Sequence, residues 1–243
     1  METLAGAARE EHAGERRLIK SNRDRCGFTL IDLMLVIACL GIVAFFVLPH
    51  LARSNSRSSR IGCTNNLKQV GLAFRIWAGD NNDKYPMSVS VTNGGAMELA
   101  NEGSAFAIFT VMSNELNTPK ILFCPNETNP KRKIAVMFGS SASRETQAFT
   151  ATNNLSYFVG LDADETKPTT IISGDDNFAV GADIPKRGLY MLSTNSPVEW
   201  TKERHIKQGN IGLADGSVQG FSTRAFRRAL IQTGIATNRL AMP

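Results

Sequence analysis

The chain of 243 residues is 42% hydrophobic and 20% charged, so it is long and apolar enough to bury a globular core. This composition excludes a disordered chain, and four cysteines are too few for a disulfide-dense scaffold. The formal charge of +5 would suit a nucleic-acid binder, but the basic residues are dispersed, apart from those before the first apolar run and the group Arg224, Arg227 and Arg228. We therefore expect no nucleic-acid partner.

A polar leader occupies residues 1–27 and precedes the first apolar run. Cations are enriched on the cytoplasmic flank of membrane helices, so the basic residues near its end would hold this end in the cytoplasm. They are Arg16, Arg17, Lys20, Arg23 and Arg25. Further arginines follow the apolar run, and charge alone therefore orients the chain weakly. We predict a cytoplasmic leader peptide, and the alternative is a disordered cytoplasmic tail on a plain anchor.

The segment from Phe28 to Leu48 predicts a membrane-spanning helix. It holds 21 residues with a single charge, Asp32. At about 1.5 Å per residue, such a helix matches the roughly 30 Å hydrocarbon core of a bilayer. A secretory signal has a shorter apolar region ahead of a small-residue cleavage site, and a core helix of a soluble protein is rarely apolar on every face. We expect residues 28–49 to cross the membrane.

The string Gly27-Phe28-Thr29-Leu30-Ile31-Asp32 resembles the N-terminal signal of type IV prepilins and type II secretion pseudopilins. The resemblance implies that prepilin peptidase cuts between Gly27 and Phe28 and that the new amine of Phe28 is methylated. It also implies partners: other pilin-like subunits, the peptidase and the lipid of the inner membrane. Asp32 falls where the family has its characteristic acidic residue, which is nearly always glutamate and one methylene longer.

Asp32 is the residue of the span for which we predict an assembly role. A carboxylate within an apolar span costs about 2.5–3.5 kcal/mol on insertion scales, so it usually marks a partner or a pathway. The resemblance implies the amine of a mature Phe28, on the same or a neighbouring subunit, as that partner. The alternative is a shallow carboxylate that reaches the interface. Gly41 and Pro49 match the family's helix-loosening glycine and proline, although close helix packing and a simple bend would explain them too.

Beyond Pro49 the helix is predicted to continue to about Gly79, as a stalk over residues 50–83. An apolar stripe at steps of three or four residues needs a globular face to cover it, and its members are Cys63, Leu67, Val70, Phe74 and Trp77. The run from Cys63 to Pro86 resembles a group of pseudopilin-like proteins that carry a C-terminal H-x9-DG motif. In this chain the motif would be His205 followed by Asp215-Gly216.

The head, residues 84–243, is predicted to be α+β, with antiparallel strands packed on the long helix in a pilin-like arrangement. Residues Ala96–Leu116 have near-helical apolar spacing, which Gly103 weakens. Short runs rich in β-branched and aromatic residues predict strands, and they are Lys120–Phe123, Ile134–Phe138, Leu155–Val159, Thr169–Ile172 and Gly188–Leu192.

The clearest hairpin pairs Asn210–Ala214 with Ser217–Phe221. Asp215-Gly216 joins them and is typical of a tight primed turn. Ser222 is predicted to cap a final helix that Gly234 ends, with Phe221 and Phe226 as a hydrophobic staple.

No enzymatic site is predicted in the head. His205 with Asp175, Asp176 or Asp215 would suit metal or acid–base chemistry, but the head has a single histidine and no nucleophile elbow, phosphate loop or zinc-type spacing. We interpret the histidine as bonding a nearby backbone carbonyl, and we expect neither a cofactor nor a bound metal. Calcium is a weaker alternative to solvated carboxylates at two acidic groups, namely Asp162, Asp164 and Glu165, and Asp175, Asp176 and Asn177.

Cys63 and Cys124 are the cysteines that remain outside the span once the leader is removed. An exported head meets oxidising conditions, which favour a disulfide between them. The position of Cys63 on the apolar stripe favours a buried free thiol, which we prefer.

These patterns together predict a structural subunit of a type II secretion pseudopilus or a type IV pilus-like filament. It would be anchored in the bacterial inner membrane with its head outside the cytoplasm. The alternative is a single-pass membrane-anchored binding module, which needs neither cleavage after Gly27 nor a methylated Phe28.

Overall fold

A computed structural model describes residues 29–139 and 148–243, and along 48–57 it describes the backbone alone. The leader, Gly27 and Phe28 lie outside these residues. The chain divides into two compact units, with the boundary between Leu48 and Pro49. The predicted α+β class is confirmed, because an N-terminal apolar helix is followed by a mostly antiparallel sheet domain.

Helix α1 runs from Leu30 to Asp80. Thr29 begins it with a side-chain cap, and Asn82 and Asp83 end it with φ angles of +56° each, a conformation that asparagine and aspartate tolerate better than most residues. The predicted stripe is confirmed, since Cys63, Val70 and Phe74 are fully buried and Leu67 and Trp77 are nearly so. This face of α1 therefore forms one wall of the head's core.

Three short helices replace the single helix predicted over Ala96–Leu116: α2 (Met97–Asn101), α3 (Ala105–Val111) and α4 (Ser113–Leu116). The first break falls at Gly103, whose φ is +85° and where an added Cβ would lie 1.9 Å from the backbone nitrogen of Leu189. Ser104 then caps α3 by accepting a hydrogen bond from the Ala107 N–H at 3.2 Å. Periodicity predicted the helical type but not these interruptions.

The strands are short and most belong to one antiparallel sheet of six, in the order β6-β10-β3-β4-β8-β9. Two further pairs, β1-β2 and β5-β7, stand apart from it. The bounds are β1 Met137–Phe138, β2 Ala148–Phe149, β3 Tyr157–Gly160, β4 Ile171–Asp175, β5 Phe178–Val180, β6 Gly188–Ser193, β7 Val198–Trp200, β8 Gln208–Leu213, β9 Val218–Ser222 and β10 Thr237–Met242.

Both faces of the central sheet are covered. Tyr157 and Val159 of β3 point to the α1 side, while Phe158 packs with Phe178 and Trp200 on the opposite side. All four residues of β3 are consequently buried, which is why this strand is a continuous apolar run rather than an alternating one.

Several predicted strands differ from the structure. Lys120–Phe123 is not a strand, because Pro119 and the Thr118 cap start a 3-10 turn over Pro119–Leu122. Only Met137 and Phe138 of the run Ile134–Phe138 are paired. The runs at Leu155–Val159 and Thr169–Ile172 are shifted toward the C-terminus, to β3 and β4, whereas Gly188–Leu192 corresponds to β6 with one more residue.

The hairpin β8-β9 has the predicted pairing but not the predicted primed turn. Of its two turn residues only Gly216 has a positive φ, +84°, and its N–H donates to the Leu213 carbonyl at 2.9 Å. This is the pattern of a longer loop with glycine in the left-handed position. The final helix α5 (Thr223–Gln232) begins as predicted, with the Ser222 side chain accepting from the Ala225 N–H at 3.4 Å.

Candidate functional site

The first half of α1 presents an apolar surface on all sides. The 18 residues from Leu30 to Val47 have a mean hydropathy of 2.8, and none of them is buried. Leu30 and Phe45 are each 75% exposed. A helix of this length and composition can cross a membrane, and side chains of this kind need lipid or neighbouring helices around them. This surface is the first candidate functional feature of the chain.

Asp32 closes a capping box at the start of this surface. Its Oδ2 accepts hydrogen bonds from the Thr29 N–H at 3.0 Å and the Thr29 hydroxyl at 2.8 Å, while Thr29 Oγ1 accepts from the Asp32 N–H at 3.3 Å. Two free N–H groups of the helix start are thus satisfied reciprocally. Within a single chain Asp32 therefore has a local partner, whereas the partner inferred from the resemblance, Phe28, lies outside the described residues.

Helix α1 continues through both Gly41 and Pro49, the two residues predicted to loosen it. A Cβ added at Gly41 would meet nothing within 4 Å, so this position offers a flat surface for a neighbouring helix. The side chain of Pro49 is not among those described, and its loosening role stays a prediction. Gly27, with its cleavage position, lies outside the described residues.

A second feature is a buried polar cluster in the head, built around a disulfide between Cys63 and Cys124. Cys63 lies on α1, and Cys124 follows the 3-10 turn at Pro119–Leu122. Both residues are fully buried. The sulfurs are bonded to each other, which differs from the buried free thiol that we preferred from the apolar stripe. The bridge ties the long helix to the segment that leads into the sheet.

Asp175 and His205 lie against this disulfide. The Nε2 atom of His205 is 3.5 Å from Asp175 Oδ2 and 3.5 Å from Cys124 Sγ. Asn210 donates two hydrogen bonds to Asp175 Oδ2, from its N–H at 2.7 Å and its Nδ2 at 2.9 Å. Within the part of the chain that the structure describes, Asp175 Oδ1 and His205 Nδ1 have no hydrogen-bond partner. The predicted bond from His205 to a backbone carbonyl is replaced by contacts with a carboxylate and a sulfur.

Burial governs the protonation of this pair. It raises the pKa of Asp175, although Arg204, His205 and Asn210 oppose the rise. It lowers the pKa of His205, against the attraction of Asp175. Both shifts favour the uncharged form of each group, as expected for ionisable side chains removed from water.

A network of two guanidinium groups and two carboxylates surrounds the pair. Arg204 forms ion pairs with Asp176 and, at 3.7 Å, with Glu127, and its Nη1 donates to the Ser156 carbonyl at 2.9 Å. Arg132 pairs with the same two carboxylates, at 3.1 Å for Glu127. Their formal charges balance, which is the condition for keeping such groups out of water.

Helix α1 joins the cluster through polar contacts as well as through the disulfide. Thr64 donates to Asn210 Oδ1 at 3.1 Å, and the side chain of Arg60 donates to Gln208. Asn66 Nδ2 donates to the Phe123 carbonyl at 3.0 Å. Asn210 therefore bridges α1 and the buried Asp175, and these hydrogen bonds hold α1 in position against β8.

The two ends of the H-x9-DG pattern lie in different parts of the fold. His205 lies in the buried cluster, whereas the turn at Asp215-Gly216 lies against a later part of α1. A Cβ added at Gly71 would lie 3.9 Å from Gly216 Cα, and the Asp215 carbonyl accepts from Arg75 at 3.5 Å. Tyr85 donates to the Ala214 carbonyl at 3.1 Å. The pattern thus marks two contacts between α1 and the sheet domain.

Most carboxylate oxygens of the acidic groups considered for calcium have protein partners, but Asp175 Oδ1 has none among the described residues. Asp175 and Asp176 are buried, so neither is a solvated loop carboxylate. Asp162 accepts from the Arg239 N–H at 2.6 Å and its Nε at 2.8 Å, and Asp164 Oδ1 accepts from the Thr166 N–H at 2.9 Å. The carboxylates of Asp162 and Asp164 therefore act as hydrogen-bond acceptors within the fold.

Sequence reasoning missed Glu127, Arg132 and Arg204. Their partners come from segments far apart in the chain, and the ion pairs have no local spacing to reveal them. The signal that was available is the placement of Asp175-Asp176 directly after the apolar strand run Ile171–Gly174, because buried carboxylates require nearby cations.

Comparison with known proteins identifies two similar chains. The sequence is 33% identical over 69 residues to the protein named type IV major pilin protein PilA from Myxococcus xanthus, a match that covers 28% of this chain and 31% of the relative. It is 30% identical over 73 residues to type II secretion system core protein G from Pectobacterium carotovorum subsp. carotovorum, covering 30% of this chain and 46% of the relative. The chain thus covers less than half the length of either curated relative. No family model and no solved structure matches.

Proposed function

We propose that this chain is a structural subunit of a pilin-like filament, of the type II secretion pseudopilus or type IV pilus kind. The observation that carries the proposal is the 18-residue segment of α1 that is apolar and exposed on every side. Such a surface suits both lipid before assembly and neighbouring helices in a filament core. The similarity to a pilin and to a type II secretion protein supports the same interpretation and favours a structural protein over an enzyme.

Processing and location follow from the same proposal. Prepilin peptidase would cut between Gly27 and Phe28 and the new Phe28 amine would be methylated. The mature chain would stay in the bacterial inner membrane by α1, with its head outside the cytoplasm. Residues 28–49 would form the span, 50–83 the stalk and 84–243 the head.

Intact-mass analysis tests the processing step. The chain is expressed with an active prepilin peptidase and, as a control, with a peptidase whose active site is removed. We expect a mature chain that starts at a methylated Phe28 only with the active enzyme. Gly27→Ala keeps a small residue and should still be cut, whereas Gly27→Leu should not. A full-length chain beside the active peptidase would contradict the proposal.

Filament yield tests the assembly step. A carboxylate that pairs with the Phe28 amine of a neighbour would stabilise each subunit contact only when the two helices are in the correct axial register. Asp32→Ala should then insert at least as well as the parent, since a charge leaves the span, but should enter sheared filaments poorly. Asp32→Glu should assemble at least as well as the parent. Thr29→Ala is the matched control, because it breaks the capping box while keeping the carboxylate.

One observation favours the second candidate, a single-pass anchored binding module. The hydrogen bonds from Thr29 already satisfy Asp32 within one chain, so a plain anchor accounts for this carboxylate without a neighbour. For such a module Thr29→Ala and Asp32→Ala would act alike on helix stability, and neither would alter association between chains. Absence of the chain from sheared filaments, alike for the parent, Thr29→Ala and Asp32→Ala, would support the anchored module, whereas equal incorporation of Asp32→Ala and the parent would mean that Asp32 has no role in assembly.

A further inference from the structure

Four potential metal ligands converge in the head although the sequence shows no zinc-type spacing. The ligand atoms of Cys63, Cys124, Asp175 and His205 all lie within 4.8 Å of one another, and all four residues are buried. They come from α1, from the segment after the 3-10 turn at Pro119–Leu122, from the end of β4 and from the loop before β8. The fold, and not any local motif, assembles this set.

We propose that, when the disulfide is reduced, this cluster binds one zinc ion through Cys63 Sγ, Cys124 Sγ, His205 Nε2 and a carboxylate oxygen of Asp175. Two thiolates, one imidazole and one carboxylate are a ligand set that zinc accepts in closed tetrahedral sites. Disulfide and zinc exclude each other, because each uses both sulfurs. The head would thus have two alternative ways to fasten α1 to the sheet.

In the oxidised head, His205 Nε2 already lies at a suitable distance from one sulfur and from the Asp175 carboxylate. Zinc bonds of about 2.0–2.3 Å place tetrahedral ligand atoms roughly 3.3–3.8 Å apart. The separations of 3.5 Å from His205 Nε2 to Cys124 Sγ and to Asp175 Oδ2 fall within this range. The two bonded sulfurs must separate, and the four ligand atoms, which lie within 4.8 Å of one another, must adopt tetrahedral spacing.

The outer contacts favour a ligand role for Asp175. Asn210 donates both of its hydrogen bonds to Oδ2 and fixes the carboxylate plane, as outer-shell donors do at metal sites. The other oxygen, Oδ1, is buried and has no hydrogen-bond partner among the described residues. A buried acceptor without a donor is costly, so Oδ1 is the oxygen free to bind a cation while Oδ2 keeps its hydrogen bonds from Asn210.

Electrons and protons are accounted for in both steps, reduction and metal binding. A dithiol reductant supplies two electrons and two protons, which convert the disulfide into two thiols and the reductant into its own disulfide. Zinc then displaces the two thiol protons, and any proton held by Asp175 leaves as well, because a ligating carboxylate must be ionised.

The experiment uses the full chain in detergent with Cys26→Ser and Cys39→Ser, so that Cys63 and Cys124 are the remaining cysteines. Zinc content is measured by competition with a chromogenic chelator, for the oxidised protein and for protein reduced with a dithiol under nitrogen. We expect about one equivalent of zinc on the reduced protein and none on the oxidised protein. Cobalt should give tetrahedral and sulfur-to-metal bands on the reduced protein only. Equal zinc content in the two states would overturn the proposal.

His205→Ala tests the ligand set, with His50→Ala as the matched control. Loss of an outer-shell partner alone weakens metal affinity by roughly 10–100-fold, so removal of a ligand in His205→Ala should weaken it by at least that factor. His50→Ala should bind zinc like the parent. A cooperative urea-unfolding transition of oxidised His205→Ala, followed by tryptophan fluorescence, shows that this variant still folds. Unchanged zinc affinity in a folded His205→Ala variant would overturn the proposed site.

Discussion

The disulfide offers the sharpest quantitative test of how the head holds α1. We consider Cys63→Ala combined with Cys124→Ala, which removes the bridge while leaving small apolar side chains in the core. The bridged residues are 61 apart in sequence. Closing a loop of that length restricts the unfolded chain by about 4 kcal/mol at 25 °C in the chain-entropy description. The double variant should therefore lose about 4 kcal/mol of unfolding free energy.

Urea unfolding in mild detergent measures this difference. Trp77 and Trp200 are buried on opposite faces of the sheet, so their fluorescence reports the head and not the apolar half of α1. A chelator is added to all samples, so that metal binding to any reduced protein does not affect the comparison. For a unit of this size, about 4 kcal/mol corresponds to a fall of roughly 10 °C in the midpoint of thermal unfolding.

The control is Cys39→Ser, which removes an exposed free cysteine and should not alter unfolding. Alkylation of the denatured, unreduced Cys26→Ser and Cys39→Ser chain gives an independent readout, since a bridged chain has no reactive thiol. Two alkylated cysteines, or a double alanine variant within about 1 kcal/mol of the parent, would refute the reasoning.

Three further predictions concern the head. Gly216→Val should lower the unfolding free energy by about 1–3 kcal/mol because residue 216 has a positive φ. Gly216→Asn should lower it less, because asparagine tolerates this region. Urea-unfolding midpoints measure both, and equal midpoints for Gly216→Val and the parent would refute the turn. Arg204→Met should cost about 3–5 kcal/mol by leaving buried carboxylates with too few cations, whereas Arg75→Met at an exposed ion pair should cost less than about 1 kcal/mol. Burial acts to raise the pKa of Glu127, but Arg204, the Asn129 N–H and Arg132 outweigh it and hold the pKa below its usual value. Its carboxylate therefore stabilises the head above the unfolded pKa of about 4.3, and this contribution is lost as pH falls through the lower folded pKa, so Glu127→Gln should flatten the acid limb of stability measured from about pH 7 to 3.

Local sequence patterns determine several features of this protein. The apolar segment after Phe28 and the stripe from Cys63 to Trp77 depend on spacing along one helix, and Ser222 caps α5 through an N–H three residues away. The pairing of β8 with β9 likewise depends on residues that are close in sequence. In each case the interacting groups are near neighbours, so composition and period contain the relevant information.

Only the tertiary structure decided the remaining features. Strand β10 lies between β6 and β3, but its sequence, Thr237–Met242, has no regular alternation and its partners are distant in the chain. The break at Gly103 depends on the approach of Leu189, which no local pattern contains.

The candidate site shows the same division. The start of α1, with Asp32 and its Thr29 cap, is an arrangement of residues three apart, so it is local even though the cap was not among our sequence predictions. The buried cluster requires a cysteine of α1 to meet Cys124, Asp175 and His205 across three other segments. Spacing rules for metal and disulfide sites apply to ligands held by one short motif, whereas here the packing of α1 on the sheet sets every distance.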